Sequence, residues 1–362
     1  MHMRILCLVT DGFGGQGGIA LHCRHMLRAL CATGRVETVH ALPRLKPHYP
    51  EELPEKLRYL DTSANSPFEY ALALAKEAAI SGRWNLVLCE HINLLWPAAV
   101  IATLHNAKLL LVIHGFESWQ APKRFHRWPL QRVHQVISVS NVTKERFLKW
   151  SGVPESRISV VANAIEPKDF APGPRPHYLM KRYGITNEPV IMTLGRLSEK
   201  ERSKGFDRVI SILPDLLKVK PDMHYLIVGD GADRYRLERL SHERDVFRHV
   251  TFCGEINEHE KVDHYRLADA FVMPSALEGF GYVYLEALAC GLPVVGSQAD
   301  GSQDALLDGE LGELINPDDG PALTAAVLRA LEKPKLVPEQ LKRFSLDQFN
   351  LKVEEILEQL VK

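Results

Sequence analysis

Short apolar runs recur along the whole chain, each followed by a polar or glycine-bearing turn and then by a segment with helical apolar spacing. In the first half the runs are Arg4 to Thr10, Val36 to Leu42, Leu86 to Cys89, Leu109 to Ile113, Val136 to Val139 and Ile158 to Val161. Helical spacing covers Ile19 to Cys31, Tyr70 to Ile80 and Leu94 to Leu104. Strands apolar on both faces belong in a parallel sheet covered by helices. The pattern halts at Ala171-Pro172-Gly173-Pro174-Arg175-Pro176, where the prolines forbid regular structure and stiffen the chain into a linker. It then starts afresh with strands at Val190 to Leu194, His224 to Val228 and His249 to Cys253, and helices at Phe206 to Val219 and Arg234 to Arg244. The reading is an α/β protein of two Rossmann-like, doubly wound domains, residues 1–170 and 171–343. An amphipathic helix, Phe344 to Val361, falls in the remaining 344–362.

Composition removes several classes of protein. A formal net charge of −1 leaves no bulk affinity for nucleic acid. Six cysteines, mostly in apolar runs and without a C-x-x-C pair, argue against a disulfide framework or a zinc site and favour a reducing cytoplasm. The apolar part of the N-terminus is too short for a signal peptide or a membrane span. No D-x-D triplet and no His/Cys cluster at ligand spacing occurs, so no metal or other cofactor is expected.

The most informative stretch is Glu278-Gly-Phe-Gly-Tyr-Val-Tyr-Leu-Glu286, between the apolar run Ala270 to Met273 and the strand at Pro293-Val294-Val295. A helix is expected from Gly281 to Cys290, with Glu278 in the loop before it and Glu286 about two turns inside it. Gly279 and Gly281 let the backbone approach a ligand, and the N–H groups of Gly281, Tyr282 and Val283 face an anion such as a diphosphate. These residues, with Phe280, form a candidate phosphate cradle flanked by two carboxylates. The stretch resembles the signature of retaining glycosyltransferases of family 4, enzymes of the GT-B fold marked by two glutamates with seven residues between them. The resemblance implies two domains facing a cleft and a C-terminal helix crossing back to the first. It further implies that Glu278 contacts sugar hydroxyls and Glu286 the nucleotide ribose.

Other positions join this reading. Arg196 stands just past a buried strand and Lys204 opens a helix, so both cations are candidates for one diphosphate; Lys200, in the insert between them, competes for the second role. The loop holding Ile256 and Glu258, with Lys261, lies where a base would be placed, and a carboxylate at Glu258 suits the two donors of guanine. In the N-terminal half, His114 ends a buried strand, where the family has a cleft histidine. Gly17 and Gly18 match the family's glycine loop.

Gly12, Gly14 and Gly17 also spell G-x-G-x-x-G, which raises a dinucleotide-dependent oxidoreductase as a competitor. Glu37, at the start rather than the end of its strand, is poorly placed for the ribose of such a cofactor. Residues 43–66 read as a long polar connection, a mobile flap near the cleft. Residues 123–132 interleave basic residues with Phe125 and Trp128, either a solvated amphipathic face or a peripheral membrane contact.

The function expected is retaining, metal-independent transfer of a sugar from a UDP- or GDP-linked donor, with Arg196, Lys204, Glu278 and His114 in catalytic roles. The acceptor is a saccharide, lipid-linked or small molecule in envelope polysaccharide, lipopolysaccharide or glycoconjugate synthesis. The location is cytoplasmic, either free in solution or peripheral at the inner membrane face. A catalytically silent sugar-nucleotide binding protein is the second alternative.

Overall fold

The computed structural model describes residues 3–45, 52–60, 66–80, 82–121 and 127–361. The chain divides into two compact units, one of Met1–Ala164 with Leu346–Lys362 and one of Ile165–Ser345.

The first unit runs β1 (Met3–Val9), α1 (Gly18–Ala32), β2 (Val36–Pro43), β3 (Leu57–Tyr59), α2 (Pro67–Ala78), β4 (Leu86–Cys89), α3 (Leu95–His105) and β5 (Lys108–Ile113). It continues through α4 (Trp128–Gln131), β6 (Gln135–Ser138), α5 (Asn141–Ser151) and β7 (Ile158–Val160). Its seven strands are parallel in the order β3-β2-β1-β4-β5-β6-β7. Alternate residues of β1 enter opposite cores: Ile5, Cys7 and Val9 face one side, Leu6 and Leu8 the other, all fully buried. Both faces are therefore covered, as the unbroken apolar runs require.

Part of the connection expected at 43–66 is instead a strand: β3 pairs with β2 through Leu57, Arg58 and Tyr59. Leu57 is buried in the core and the Tyr59 ring meets Phe13 edge-on at 5.7 Å, contacts that three residues with one arginine do not announce. Residues 46–51 and 61–65 of that connection lie outside the described part, as do 123–126 of the basic aromatic stretch.

The second unit holds α6 (His177–Tyr183), β8 (Val190–Leu194), α7 (Phe206–Val219), β9 (His224–Val228), α8 (Arg234–Glu243), β10 (Val250–Gly254) and α9 (Glu258–Leu267). Then follow β11 (Ala270–Val272), α10 (Tyr282–Ala289), β12 (Val294–Ser297), α11 (Ser302–Ala305), β13 (Glu313–Ile315) and α12 (Gly320–Glu332). Its parallel order is β10-β9-β8-β11-β12-β13. The last helix, α13 (Leu346–Val361), returns to the first unit, where Phe349, Val353, Ile356 and Leu357 join the core that holds Cys23, Met26 and Leu27 of α1.

Each sheet reverses its winding once, between β1 and β4 in the first unit and between β8 and β11 in the second. Open parallel sheets bind ligands at the carboxyl ends of the strands flanking such a reversal. Among the described residues no helix is long and apolar enough to cross a membrane.

Candidate functional site

In the second unit, the residues that follow β8 and β11 meet at the reversal. Arg196, two positions past β8, is exposed. Lys204 closes a 3₁₀ turn, Glu199–Lys204, rather than opening α7 itself; Gly205, in a left-handed conformation, is the N-cap of that helix. Lys204 Nζ donates to Glu278 Oε2 at 3.0 Å.

The loop carrying Glu278 is held from below. The Glu278 N–H donates to Asp300 Oδ2 at 2.7 Å, and the Glu278 carbonyl accepts from Gly301 at 2.8 Å. Asp300 is fully buried and also accepts from Ser275 Oγ at 2.7 Å and the Ser302 N–H at 3.0 Å. Burial raises its pKa, an effect its hydrogen bonds from Ser302, Glu278 and Ser275 oppose. A side chain at Gly301 would stand 2.1 Å from the Gly279 carbonyl oxygen, so the loop closes only on glycine. Gly281 has φ 92° and precedes α10 without any side-chain cap, which leaves the helix N-terminus its partial positive charge. Tyr282 is nearly buried and Val283 partly so, both at that terminus; Gly279 is partly exposed in the turn. Phe280 is 1% exposed and packs edge-on against Phe344 at 5.7 Å, anchoring the turn.

Glu286 lies on α10, 3% exposed. Lys261 Nζ donates to its Oε1 at 2.6 Å and the Tyr265 hydroxyl to its Oε2 at 2.7 Å. Burial on its own would lower the pKa of Lys261; the charges of Glu286 and Glu258 outweigh it and hold the ammonium above its ordinary range. Glu258 begins α9, its side chain 82% exposed, with Lys261 at 3.4 Å, and Ile256 is partly buried in the loop before it. Two cation–carboxylate pairs are therefore formed here, Lys204–Glu278 in the turn before α10 and Lys261–Glu286 within α10.

In the first unit the loop after β1 and the residues after β4 and β5 gather at the other reversal. Gly17 is exposed with φ 89° as the N-cap of α1, and Gly18 is exposed beside it. No acid ends β2, which closes on Ala41-Leu42-Pro43, so the ribose partner of a dinucleotide fold is missing. His114 stands immediately past β5. Its Nε2 donates to the Glu90 carbonyl at 2.8 Å and lies 3.5 Å from Glu90 Oε2.

Glu90, His22, Tyr265 and Asp300 belong to these constellations and were not picked out in the sequence. Glu90 and Asp300 each fall at or just beyond the carboxyl end of an apolar strand, the one local signal available. Their burial depends on partners far away in the chain.

Comparison with known proteins agrees with this architecture. Residues 179–345 match the family described as glycosyl transferases group 1, and residues 16–169 match glycosyltransferase family 4. A GDP-mannose-dependent alpha-(1-6)-phosphatidylinositol monomannoside mannosyltransferase of Mycolicibacterium smegmatis is 30% identical over 357 residues, covering 91% of this chain and 90% of that protein. A glycogen synthase of Mycobacterium tuberculosis is 27% identical over 356 residues, covering 88% and 83%. Among solved structures, a sucrose-phosphate synthase from Thermosynechococcus elongatus superposes with TM-score 0.77 at 22% identity, covering 99% of each chain. Anabaena HepE in complex with UDP gives 0.76 at 19%, covering 99% and 100%. The fold is that of the GT-B glycosyltransferases. The chain belongs to the group 1/family 4 glycosyltransferases.

Proposed function

We propose that this chain moves a sugar, with retention of configuration and without a metal, from a nucleoside diphosphate sugar to an acceptor in glycoconjugate synthesis. One observation carries the reading: two cation–carboxylate pairs, Lys204–Glu278 at 3.0 Å in the turn before α10 and Lys261–Glu286 at 2.6 Å within it, flank a helix start that has no side-chain cap. A nucleotide sugar presents hydroxyls, a diphosphate and a ribose in that order. Glu278 takes the sugar hydroxyls, and Lys204 exchanges Glu278 for phosphate oxygens together with Arg196 and the amides at the start of α10. Glu286 takes the ribose.

Charge that grows on the departing diphosphate then meets groups already aimed at it. The sequence has no D-x-D triplet to hold a divalent ion for that purpose. His114 and the Gly17-Gly18 turn serve the acceptor side. The acceptor is a saccharide or lipid-linked molecule, and the name of the mannosyltransferase of Mycolicibacterium smegmatis supports both that class and a GDP-linked donor; the exposed carboxylate of Glu258 is the group we assign to the guanine. We place the protein in the cytoplasm, touching the inner membrane face through residues 123–132. Of these the exposed Trp128, 6.4 Å from the exposed Trp96, offers an aromatic surface to the interface.

A panel of UDP-, GDP- and ADP-sugars incubated with purified protein tests the proposal. Release of nucleoside diphosphate from one of them, fastest with a GDP-sugar and abolished by Glu278→Ala, is expected. Absence of both turnover and nucleotide binding across the panel would overturn it.

A further inference from the structure

Glu90 directly follows β4, is fully buried, and shares a sheet edge with the Gly17-Gly18 turn and His114. Its Oε2 lies 3.5 Å from His114 Nε2, 3.8 Å from His22 Nε2 and 3.6 Å from Cys23 Sγ. A carboxylate with no exposure is costly unless a cation faces it. His114 supplies the geometry for one. Its Nε2 is directed at two acceptors, the Glu90 carbonyl at 2.8 Å and the Glu90 carboxylate, so that nitrogen carries a proton. With Nε2 engaged, Nδ1 is the nitrogen that serves a ligand.

We propose that Glu90 is a positioning residue for His114: its buried carboxylate fixes the ring and keeps it cationic, so that Nδ1–H is offered as a charged donor to a substrate oxygen. This rests on the reading of His114 as part of the transfer site and adds the group that charges it.

The surroundings on every side agree. On α1, His22 meets the His114 ring edge-on at 4.8 Å, and its Nδ1 lies 2.9 Å from Asn163 Oδ1. Burial lowers its pKa to about 4, so it stays neutral and does not compete for the carboxylate. Burial likewise raises the thiols of Cys23 on α1 and Cys7 on β1, which remain uncharged. His91, next to Glu90, is lowered by burial. Past β5, Glu117 accepts the His114 main-chain N–H at 2.7 Å and adds a second negative charge nearby. Burial alone would lower the pKa of His114; the Glu90 and Glu117 carboxylates overcome it and raise it. Burial alone would raise Glu90; His22, charged only in the acid range where Glu90 itself titrates, and the hydrogen bond and charge of His114 overcome it and lower it. The two partners thus shift in opposite directions, as an ion pair requires.

The test is a histidine-ring NMR titration of the full chain, with His114 assigned by its loss in His114→Ala. In the wild-type protein His114 should titrate above the ordinary imidazole value of about 6.5. In Glu90→Gln it should fall by about one unit or more, the size expected for loss of an opposite charge in contact. Glu90→Asp, which keeps the charge, should recover part of the shift. A wild-type midpoint below the ordinary value overturns the proposal without recourse to any variant. So does an unchanged midpoint in folded Glu90→Gln.

Once a donor is in hand, the alkaline limb of kcat/KM should move to lower pH in Glu90→Gln. A loss of thermal stability with an unmoved pH profile would make Glu90 merely structural. A wild-type protein with a high His114 midpoint that turns over no sugar donor would overturn the transfer reading and leave the Glu90–His114 pair standing.

Discussion

Glu286 illustrates how much one carboxylate is asked to do. It is nearly buried, yet its two oxygens are already taken by the Lys261 ammonium and the Tyr265 hydroxyl. Removing it outright would strand both partners, and an uncompensated buried ammonium destabilises strongly. Glu286→Gln is the cleaner substitution, since it keeps a hydrogen-bond acceptor for Tyr265 while deleting the charge. Charge-assisted bonds to ribose hydroxyls contribute about 1.5–3 kcal/mol, so nucleotide affinity should fall by about tenfold to a hundredfold. Calorimetric titration with GDP and UDP measures it, and unchanged affinity would remove Glu286 from the ribose site. The titration of the ammonium lies out of the way. Lys261 is raised on folding, so its contribution is complete below the ordinary lysine value of about 10.4 and is lost only at stronger alkalinity.

At the scale of elements, the packing of α1 against α13 carries a built-in sensitivity to acid. Phe349 of α13 sits between His22 and His25 of α1, at ring separations of 5.6 and 6.2 Å. Burial lowers His22 to about 4 and His25 to about 3, so both are neutral in the native protein. Between pH 6.5 and 4 the unfolded chain binds protons at these positions and the folded one does not, so stability must fall as pH falls through that window. The melting temperature should drop by several degrees from pH 7 to 5, at about 2–4 °C per kcal/mol for a unit of this size. Amide exchange in α13 should quicken alongside it. His25→Gln should lessen both changes, and a melting temperature flat down to pH 5 would refute the account.

The same elements show what a sequence can and cannot disclose. Leu86–Cys89 and Val190–Leu194 are legible because an unbroken apolar run has nowhere to go but a sheet buried on both faces. Leu57–Tyr59 is not, because its place is set by pairing with β2 and by one aromatic contact. In the site, the glycine turn and its glutamates are local in sequence and stand out. Glu90 reads as an ordinary loop acid until His22 and His114, distant in the chain, are seen beside it. Asp300 is hidden for the same reason, since its role beneath Glu278 exists only once two loops meet.

For the molecule as a whole, the remaining question is what neutralises a diphosphate as it departs. A metal-dependent transferase solves this with a divalent ion held by carboxylates. Here Glu278 of the glycine turn and Glu286 of α10 are each paired with a lysine, Lys204 and Lys261, so a divalent ion bound by either would have to displace an ammonium to enter. In the reaction proposed above the chain brings cations of its own instead. When the donor arrives, Lys204 can release Glu278 to the sugar and turn to the phosphate, with Arg196 and the α10 amides adding to it. Fixed positive groups of this kind act without reorganising at the moment of reaction, and loss of one costs about a hundredfold or more in turnover. Transfer should therefore proceed undiminished in EDTA, while Lys204→Ala lowers kcat by that factor in a folded protein. Activity lost to the chelator and restored by magnesium or manganese, or full activity in Lys204→Ala, would show that the charge is met by something other than these side chains.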